Sequence, residues 1–462
     1  MRRNPTRLLA ALAVGALLVG ACGDDEKKSE DTTATTTADT TADTTADTTA
    51  DTAADTTVPA PTSWAVNTDD CIDPAAANAL IEGTIQIGSV MPLTGETSAD
   101  EAFAPVKDGW LAYMDYANEN GLLGDLQIEA SIEDDQYSKD LTPGAVSALL
   151  DSGVDVFSGI LGTPNNLAVR DTLNEECVPQ LVNLTGAPDW GDVANYPWTT
   201  GGLVPYDVES KVYATQIAEQ FPEGATVALF SLNSDFGQVY VDAFKELADQ
   251  FGFEIVDEQT IEPGDNALPT SQLTSIASKA PDVIVAVPLG IGCVTFLVEL
   301  ASSKAQNSGW DPATYLTNTC ASSLILGAAG PNADGIYTSN NLLDVADSAN
   351  ASLPAVADYL AYMDGLGKSD VVTTATAGWN IAEATVAIIK QAMDSPEGLT
   401  RASIMNAARN FTYTPTLGRP GVVFKSIGEE DAFMAQSLQV LQYDADTATF
   451  TAVGDVITTF ET

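Results

Sequence analysis

The chain of 462 residues is 45% hydrophobic and has a formal net charge of −47, from 65 acidic and 18 basic side chains. A chain of this length exceeds one ordinary hydrophobic core, so two lobes or domains are expected, and so acidic a surface excludes binding to nucleic acid through a basic face. The sequence contains no histidine, which excludes Ser-His and Cys-His nucleophilic pairs and histidine metal ligands.

Residues 1–21 are typical of a lipoprotein signal peptide. Arg2, Arg3 and Arg7 precede an apolar run that is too short for a comfortable membrane span. The run ends in "LVGAC", which resembles the bacterial lipobox and implies cleavage before Cys22 and lipid attachment to that cysteine. A generic secretory signal is the alternative. Either way we expect an extracytoplasmic protein, and the lipobox makes it a lipoprotein anchored to the bacterial cell membrane through its lipid alone.

The next segment has low complexity. The repeat "TADTTADTTADTTAD" places an aspartate at every fourth residue, where the charges would repel one another on one face of a helix. Threonine also disfavours helix, and nothing in the segment can form a core. We therefore expect residues 22–80 to be a Thr/Asp/Ala-rich disordered tether that begins at the lipidated cysteine.

From Thr84 onward, short apolar segments alternate with longer amphipathic ones. This alternation predicts parallel sheets covered by helices, and the number of strands favours two sheets. The predicted strands are 84–90, 126–132, 154–160, 179–183, 225–231, 253–260, 282–287, 314–318 and 335–339. Helices are predicted near 100–120, 139–151, 165–176, 206–220, 237–251, 269–279, 291–306, 355–366, 373–394 and 400–409, before three β-like runs, "GVVFK", "SLQVLQY" and "TFTAV".

The loops that follow these strands are short, small and polar. They read "MPLTGET", "LGTPNN", "LTGAPD", "NSDFG", "PLGIG" and "TCASS". Ligands of open α/β sheets bind outside the carboxyl ends of the strands, where such loops offer N–H groups, hydroxyls and helix N-termini. In "LGTPNN", Thr163 is the predicted N-cap of a helix and Pro164 suits its first turn.

Two other patterns resemble parts of a dinucleotide-binding site and of a metal or ammonium site. "GIGCVT" resembles a dinucleotide fingerprint but lacks the third glycine and an acidic ribose partner. The pair Asp134–Asp135 could hold a metal ion or an ammonium group, although a solvated turn after a strand is the more ordinary interpretation. We expect no metal site and no cofactor.

Four longer stretches carry a family resemblance. They are "IQIGSVMPLTGETSA" with the following "KDGWLAYMDYANENGLLGDLQIEASIEDDQ", "VDVFSGILGTPNNLAV", "VALFSLNSDFGQVYVDAFKE" and "TAGWNIAEATVAIIKQA", the last with Trp379 where a tyrosine is commoner. In order and spacing they resemble type I periplasmic binding proteins, most closely the leucine/isoleucine/valine-type substrate-binding proteins of ABC importers. The resemblance covers about residues 80–462.

The resemblance implies a fold and a partner. The fold is α/β, with two Rossmann-like lobes of parallel sheets joined by a three-crossover hinge and closing on a small-molecule ligand. Carried onto this chain, the N-terminal lobe comprises residues 81–204 and 341–416, and the C-terminal lobe comprises residues 205–340 and 417–462. The implied protein is a monomer that passes its ligand to an ABC permease in the membrane.

Four cysteines remain when Cys22 carries lipid, and an oxidising compartment favours two disulfides. The residues alone leave three pairings open. With the implied lobes, Cys71–Cys177 and Cys293–Cys320 are preferred, because each pair then lies within one lobe.

The resemblance also implies ligand-binding residues from both lobes. In the family, groups after the third and fourth strands hold a ligand carboxylate, and an aromatic residue that starts the second lobe's first helix covers the ligand. Carried over by position, the expected ligand-binding residues are Leu93, Thr163, Pro164, Asn165, Thr185, Gly186, Ala187, Asp235, Phe236, Leu289, Gly290 and Thr319.

One departure from the family concerns the ligand. The branched-chain amino-acid binders hold the ammonium group with a glutamate after the strand at 314–318, where this chain has "NTCASS", with Cys320 expected at the rim of the pocket. Asp235 could replace that glutamate or cap the helix near Phe236, and amides, ureas, short acids and aromatic acids are alternatives to an α-amino acid. We expect a substrate-binding protein rather than an enzyme. The alternatives are a ligand-sensing receptor domain of the same fold and a carboxylate-dependent glycosidase, for which the sequence marks no paired carboxylates.

Overall fold

A computed structural model describes residues 64–95 and 102–458. The signal peptide, Cys22 and the tether up to residue 63 lie outside the described residues. The strands β1 to β14 span Thr84–Met91, Gln127–Asp134, Val156–Ser158, Gln180–Asn183, Thr199–Gly201, Ala225–Leu232, Phe253–Ile261, Val283–Val287, Ala313–Leu316, Tyr337–Asn340, Asn410–Tyr413, Phe424–Ile427, Leu438–Asp444 and Thr449–Ile457.

The helices α1 to α12 span Pro74–Ala77, Val106–Glu119, Thr142–Asp151, Thr163–Glu175, Tyr206–Gln220, Asp235–Phe251, Thr270–Lys279, Ile291–Gln306, Ser323–Ala328, Pro354–Gly365, Val372–Ala392 and Arg401–Ala408. Short 3-10 helices lie at Pro188–Gly191, Asn318–Cys320 and Gly330–Ala333. None of the helices in these described ranges is long and apolar enough to cross a membrane.

Two large sheets organise the fold, as the alternation of strands and helices predicts. The first has the order β2-β1-β3-β4-β5 and is parallel throughout. The second has the order β14-β13-β10-β9-β8-β6-β7, in which β13 and β14 run antiparallel to their neighbours. Every residue of the central strands β3, β4 and β8 is buried, as expected where helices cover both faces of a parallel sheet.

Helices α2 and α11 cross at backbone contact distance over the first sheet. A Cβ atom at Gly109 would lie 1.8 Å from the carbonyl oxygen of Ala375, and one at Gly378 would lie 1.9 Å from that of Val106. Any larger side chain at either glycine would push the helices apart. The crossing therefore fixes the first turns of α11, which face the ligand site described below.

The chain passes between the two sheets three times, after β5, after β10 and before β13. The third passage does not lie at the expected boundary of 416/417. Strand β12 pairs with β11, and Arg409 donates to the carbonyl oxygens of Ala432 and of Thr199 in β5. Residues 424–432 therefore stay with the first sheet, and the chain changes sheet between Ala432 and Leu438.

The expectation of a disordered tether is wrong for residues 64–80, which pack beside the first sheet. Cys71 forms a disulfide with Cys177, with 5.5 Å between the Cα atoms. The N–H of Ile72 donates to the carbonyl oxygen of Glu175 at 2.8 Å. The second disulfide joins Cys293 and Cys320, so both predicted pairings are confirmed.

Candidate ligand site

A cavity of about 200 Å³ lies where strands of both sheets end. Gly162 and Thr163 after β3 and Leu184 after β4 line its first wall. Leu289 after β8 and Thr319 after β9 line its second wall. This is the position that the carboxyl-end rule predicts for a ligand of open α/β sheets.

Segments that connect the sheets complete the cavity. Leu203 and Val204 come from the first passage and residues 341–345 from the second, while Ser339 and Asn340 end β10 and Leu438 begins β13. The beginning of α11 adds Thr373, Thr374, Thr376 and Ala377. Trp379, one turn further along, does not line the cavity and instead packs edge-on against Tyr113 with 4.9 Å between ring centroids. Any hinge movement between the sheets would change the shape of this cavity.

The first wall centres on Tyr206, a residue that the sequence analysis did not single out. Its ring is buried, stacks on Tyr240 with 4.9 Å between centroids, and meets Phe236 edge-on at 5.1 Å. Burial raises the pKa of Tyr206 to about 12, against the opposing effect of the neighbouring Thr185 and Thr163 hydroxyls. The phenol is therefore neutral at physiological pH and forms part of a hydroxyl cluster at the cavity.

Thr163 does not cap helix α4, contrary to the prediction. It is the first residue of the helix; the N-cap is Gly162, with φ of 99°, and no side chain caps the helix. A Cβ atom at Gly162 would lie 2.5 Å from Oδ1 of Asn165 and 2.7 Å from Cε2 of Tyr137, so glycine is needed here for both conformation and space. The Thr163 hydroxyl instead lies 2.6 Å from that of Thr185.

A buried carboxylate anchors this wall from behind. Asp135 is fully buried and accepts hydrogen bonds from the Asn165 amide at 2.8 Å, the Thr142 hydroxyl at 2.8 Å and the Tyr137 N–H at 3.0 Å. Burial raises the pKa of Asp135, against the opposing effect of these hydrogen bonds. The expected solvated turn is therefore wrong for Asp135, which positions both Tyr137 at the cavity and the start of α4.

Asp134, its neighbour, points to a different loop. Its carboxylate accepts from the N–H groups of Leu93 and Thr94 and from the Thr94 hydroxyl. The two aspartates thus serve separate structural contacts. The described residues contain no group of three or more metal-ligating side chains that could hold an ion.

Of the predicted ligand-binding residues, four line the cavity and eight do not. Thr163, Phe236, Leu289 and Thr319 line it; Leu93, Pro164, Asn165, Thr185, Gly186, Ala187, Asp235 and Gly290 lie outside the lining. Some of the eight support it: the carbonyl oxygen of Gly186 accepts from the Tyr206 N–H at 2.7 Å. Helix α6 is capped by Ser234 and not by Asp235, which lies 3.9 Å from Lys139 in an exposed ion pair.

The second wall is held by the disulfide Cys293–Cys320. Cys293 lies in the first turn of α8, and Cys320 ends the 3-10 helix that follows β9. Both cysteines are fully buried behind the lining, so the expectation that Cys320 lies at the rim is wrong. The Thr319 hydroxyl donates to the carbonyl oxygen of Pro288 at 3.4 Å, which joins the same two loops again.

Glu209 forms a second buried hub next to this wall. It accepts from Tyr213, Tyr240 and the Ser339 hydroxyl, and from both the N–H and the side-chain amide of Asn318. Burial raises the pKa of Glu209 against these hydrogen bonds. Asn318 and Ser339 both line the cavity, so Glu209 positions two lining residues without lining the cavity itself.

Two α/β sheets whose strand ends meet at one cavity, connected by three passages of the chain, define a two-lobed solute-binding protein. The chain belongs to the periplasmic binding protein family, whose sequence model matches residues 84–448. This confirms the resemblance to type I periplasmic binding proteins, and the family's fold binds solutes and is not catalytic. The family places the chain outside the cytoplasm.

Solved structures show the same fold. A branched-chain amino acid ABC transporter protein from Thermus thermophilus with bound valine has a TM-score of 0.72 and 19% identity, covering 81% of this chain and 97% of that one. A solute-binding protein from Rhodopseudomonas palustris in complex with benzoate has a TM-score of 0.64 and 19% identity, covering 80% and 96%. The fatty acid ABC transporter substrate-binding protein from Thermomonospora curvata has a TM-score of 0.65 and 19% identity, covering 82% and 94%. No curated protein matches the sequence.

Proposed function

We propose that this protein is the substrate-binding component of an ABC importer, which captures a small carboxylate or related amide between its lobes and delivers it to a permease. The observation that carries the proposal is the cavity itself, which takes its walls from both sheets and from the connecting segments. A ligand that contacts both walls binds the closed arrangement more tightly than the open one, and so shifts the hinge towards closure.

The lining residues divide into two roles. The hydroxyls of Thr163 and Tyr206, next to the beginning of α4, are suited to hold a ligand carboxylate. Phe236 and Leu289 offer apolar surface to the rest of the ligand. The similar proteins from T. thermophilus and R. palustris bind valine and benzoate, both carboxylates, which supports this division.

The size of the cavity supports a metabolite rather than a larger ligand. Its volume of about 200 Å³ lies below the roughly 300–1,000 Å³ of pockets that take drug-sized molecules. In this proposal the protein works as a monomer, held at the membrane through the lipid on Cys22 and the tether that follows it.

Uptake measurements test the proposal. A thermal-shift screen of amino acids, amides and carboxylates against the purified protein identifies ligands, because a ligand that binds only the folded state raises the melting temperature. We expect cells that lack the protein to lose uptake of the identified ligand, and the wild-type chain to restore it. Thr163→Ala is the matched variant, which we expect to restore less uptake at equal protein level. Tight binding with unchanged uptake would contradict the importer role and favour a sensory receptor.

A further inference from the structure

The charges around the cavity restrict the class of ligand that it can bind. Among the described residues that line it, Asp344 is the only acidic or basic one. Its two carboxylate oxygens already accept from the N–H groups of Ser323 at 3.1 Å and Ala346 at 3.0 Å. Burial lowers the pKa of the Arg419 guanidinium, and the nearby charge of Asp344 raises it. The one acidic side chain among these described lining residues is therefore already held by two N–H donors.

The helices that begin at the cavity also favour an anionic ligand over a cationic one. Gly162 and Thr163, at the start of the 13-residue helix α4, line the cavity. Leu289 lines it directly before Gly290, the N-cap of the 16-residue helix α8. Helix N-termini carry partial positive charge, which favours a ligand anion and opposes a cation.

Much of the remaining lining is apolar or aromatic. It includes Phe103, Tyr137, Leu161, Tyr206, Ile325 and Leu438. An ammonium group that entered such surroundings would lose its hydration, and the one lining carboxylate that could compensate is already held by two N–H donors. An aromatic ring or a branched alkyl group would instead gain by leaving water.

We propose that the ligand is a small carboxylate with an aromatic or branched aliphatic body and without an ammonium group. This inference rests on the proposed function and names the substrate class of the same site. It separates the protein from binders of free α-amino acids, although both classes share the carboxylate.

Matched ligand pairs test the inference by titration calorimetry on the intact chain. The pairs are 3-phenylpropanoate against phenylalanine and 4-methylpentanoate against leucine, whose members differ only in the α-ammonium group. We expect at least one acid without the ammonium group to bind, with at least 100-fold higher affinity than its amino acid. Tighter binding of either amino acid would overturn the inference while leaving the importer role intact. If no acid in the pairs binds but another compound from the screen supports uptake, the substrate class is also wrong and the function stands.

A charge introduced into the lining gives a second test. Thr319→Glu adds a carboxylate at the second wall, and Thr319→Gln adds a neutral side chain of the same size. We expect the preference within each pair to move at least tenfold towards the amino acid in Thr319→Glu relative to Thr319→Gln, because the added carboxylate attracts the ammonium group. The same preference in both variants would contradict an electrostatic origin of the selectivity. If Thr319→Glu does not fold, the ligand pairs on the wild-type protein still decide the question.

Discussion

The two walls of the cavity are held in place by different means. On the first wall, buried hydrogen bonds fix the loops: Asp135 holds Tyr137 and Asn165, and the hydroxyls of Thr163 and Thr185 contact each other. On the second wall, a disulfide joins the loop after β8 to the loop after β9. A polar network remains sensitive to pH and to single substitutions, whereas a single covalent bond holds the two loops of the second wall together. Loops at the ends of parallel strands are therefore held by two different physical means in the same chain.

Breaking the two disulfides separates stability from binding and gives the largest expected effects. Replacing Cys71 and Cys177 by alanine opens a loop with a sequence separation of 106 and is expected to cost about 4.8 kcal/mol of unfolding free energy by the loop-entropy relation. Replacing Cys293 and Cys320 opens a separation of 27 and is expected to cost about 3.5 kcal/mol. Denaturant unfolding measures the stability of each variant, and titration calorimetry measures its ligand affinity. We expect only the second pair to weaken ligand binding as well, and equal affinities in the two variants would contradict the assigned role.

Asp135→Asn tests the polar network of the first wall. The Asn165 amide loses an acceptor, so we expect a loss of about 1–3 kcal/mol in unfolding free energy. Because burial raises the pKa of Asp135 above its ordinary value, the native state binds more protons than the unfolded chain above about pH 4. The contribution of Asp135 is therefore fully present at lower pH and is lost as pH rises through the raised pKa. Unfolding measurements from pH 3.5 to 7 should show the stability difference between wild type and variant shrinking with pH; a growing difference would reverse the sign.

Thr163→Ala separates ligand contact from wall structure. The variant loses one hydroxyl of the cluster with Thr185 and Tyr206, and we expect a cost of about 1 kcal/mol in stability. We expect ligand affinity to fall at least tenfold, which exceeds that cost as a free energy. Thr163→Ser keeps the hydroxyl and is the control. Proportionate losses of stability and affinity in Thr163→Ala would leave only a structural role.

The ion pair between Lys139 and Asp235 gives the smallest expected effect. Lys139 follows β2 and Asp235 begins helix α6 after β6, so the pair joins segments of the two different sheets. Their side chains are 62% and 49% exposed and lie 3.9 Å apart. We therefore expect Lys139→Gln to weaken the free energy of ligand binding by less than about 1 kcal/mol, and we expect this loss to disappear at high salt. The double exchange Lys139→Asp with Asp235→Lys should restore affinity. A salt-independent loss in Lys139→Gln would point to a role other than charge pairing.

The sequence predicts the fold better than it predicts the site. Period and composition mark the strands of both sheets, because buried parallel strands are continuous apolar runs, as in β8. The third passage between the sheets was misplaced, because a β-like run such as "GVVFK" does not reveal its pairing partner; β12 pairs with β11.

Within the site, the loops after strands are visible in the sequence, but the hubs are not. Glu209 reads as an acidic residue in the first turn of a helix, and its contact with Ser339 spans 130 positions. Tyr206 and Tyr137 likewise gain their places through residues that are remote in the chain. The strongest available signal was the aromatic Tyr206 directly after the first passage between lobes, where a side chain faces both sheets.

Small-angle X-ray scattering of the intact chain tests capture by hinge closure, because closure on a ligand shared by both walls makes the protein more compact. The measurement compares the radius of gyration with no ligand and at saturation with the tightest ligand from the screen; Thr163→Ala at the same ligand concentration is the control. We expect a smaller radius for the saturated wild type and a smaller change in the variant. Saturation with an unchanged radius would contradict capture by hinge closure.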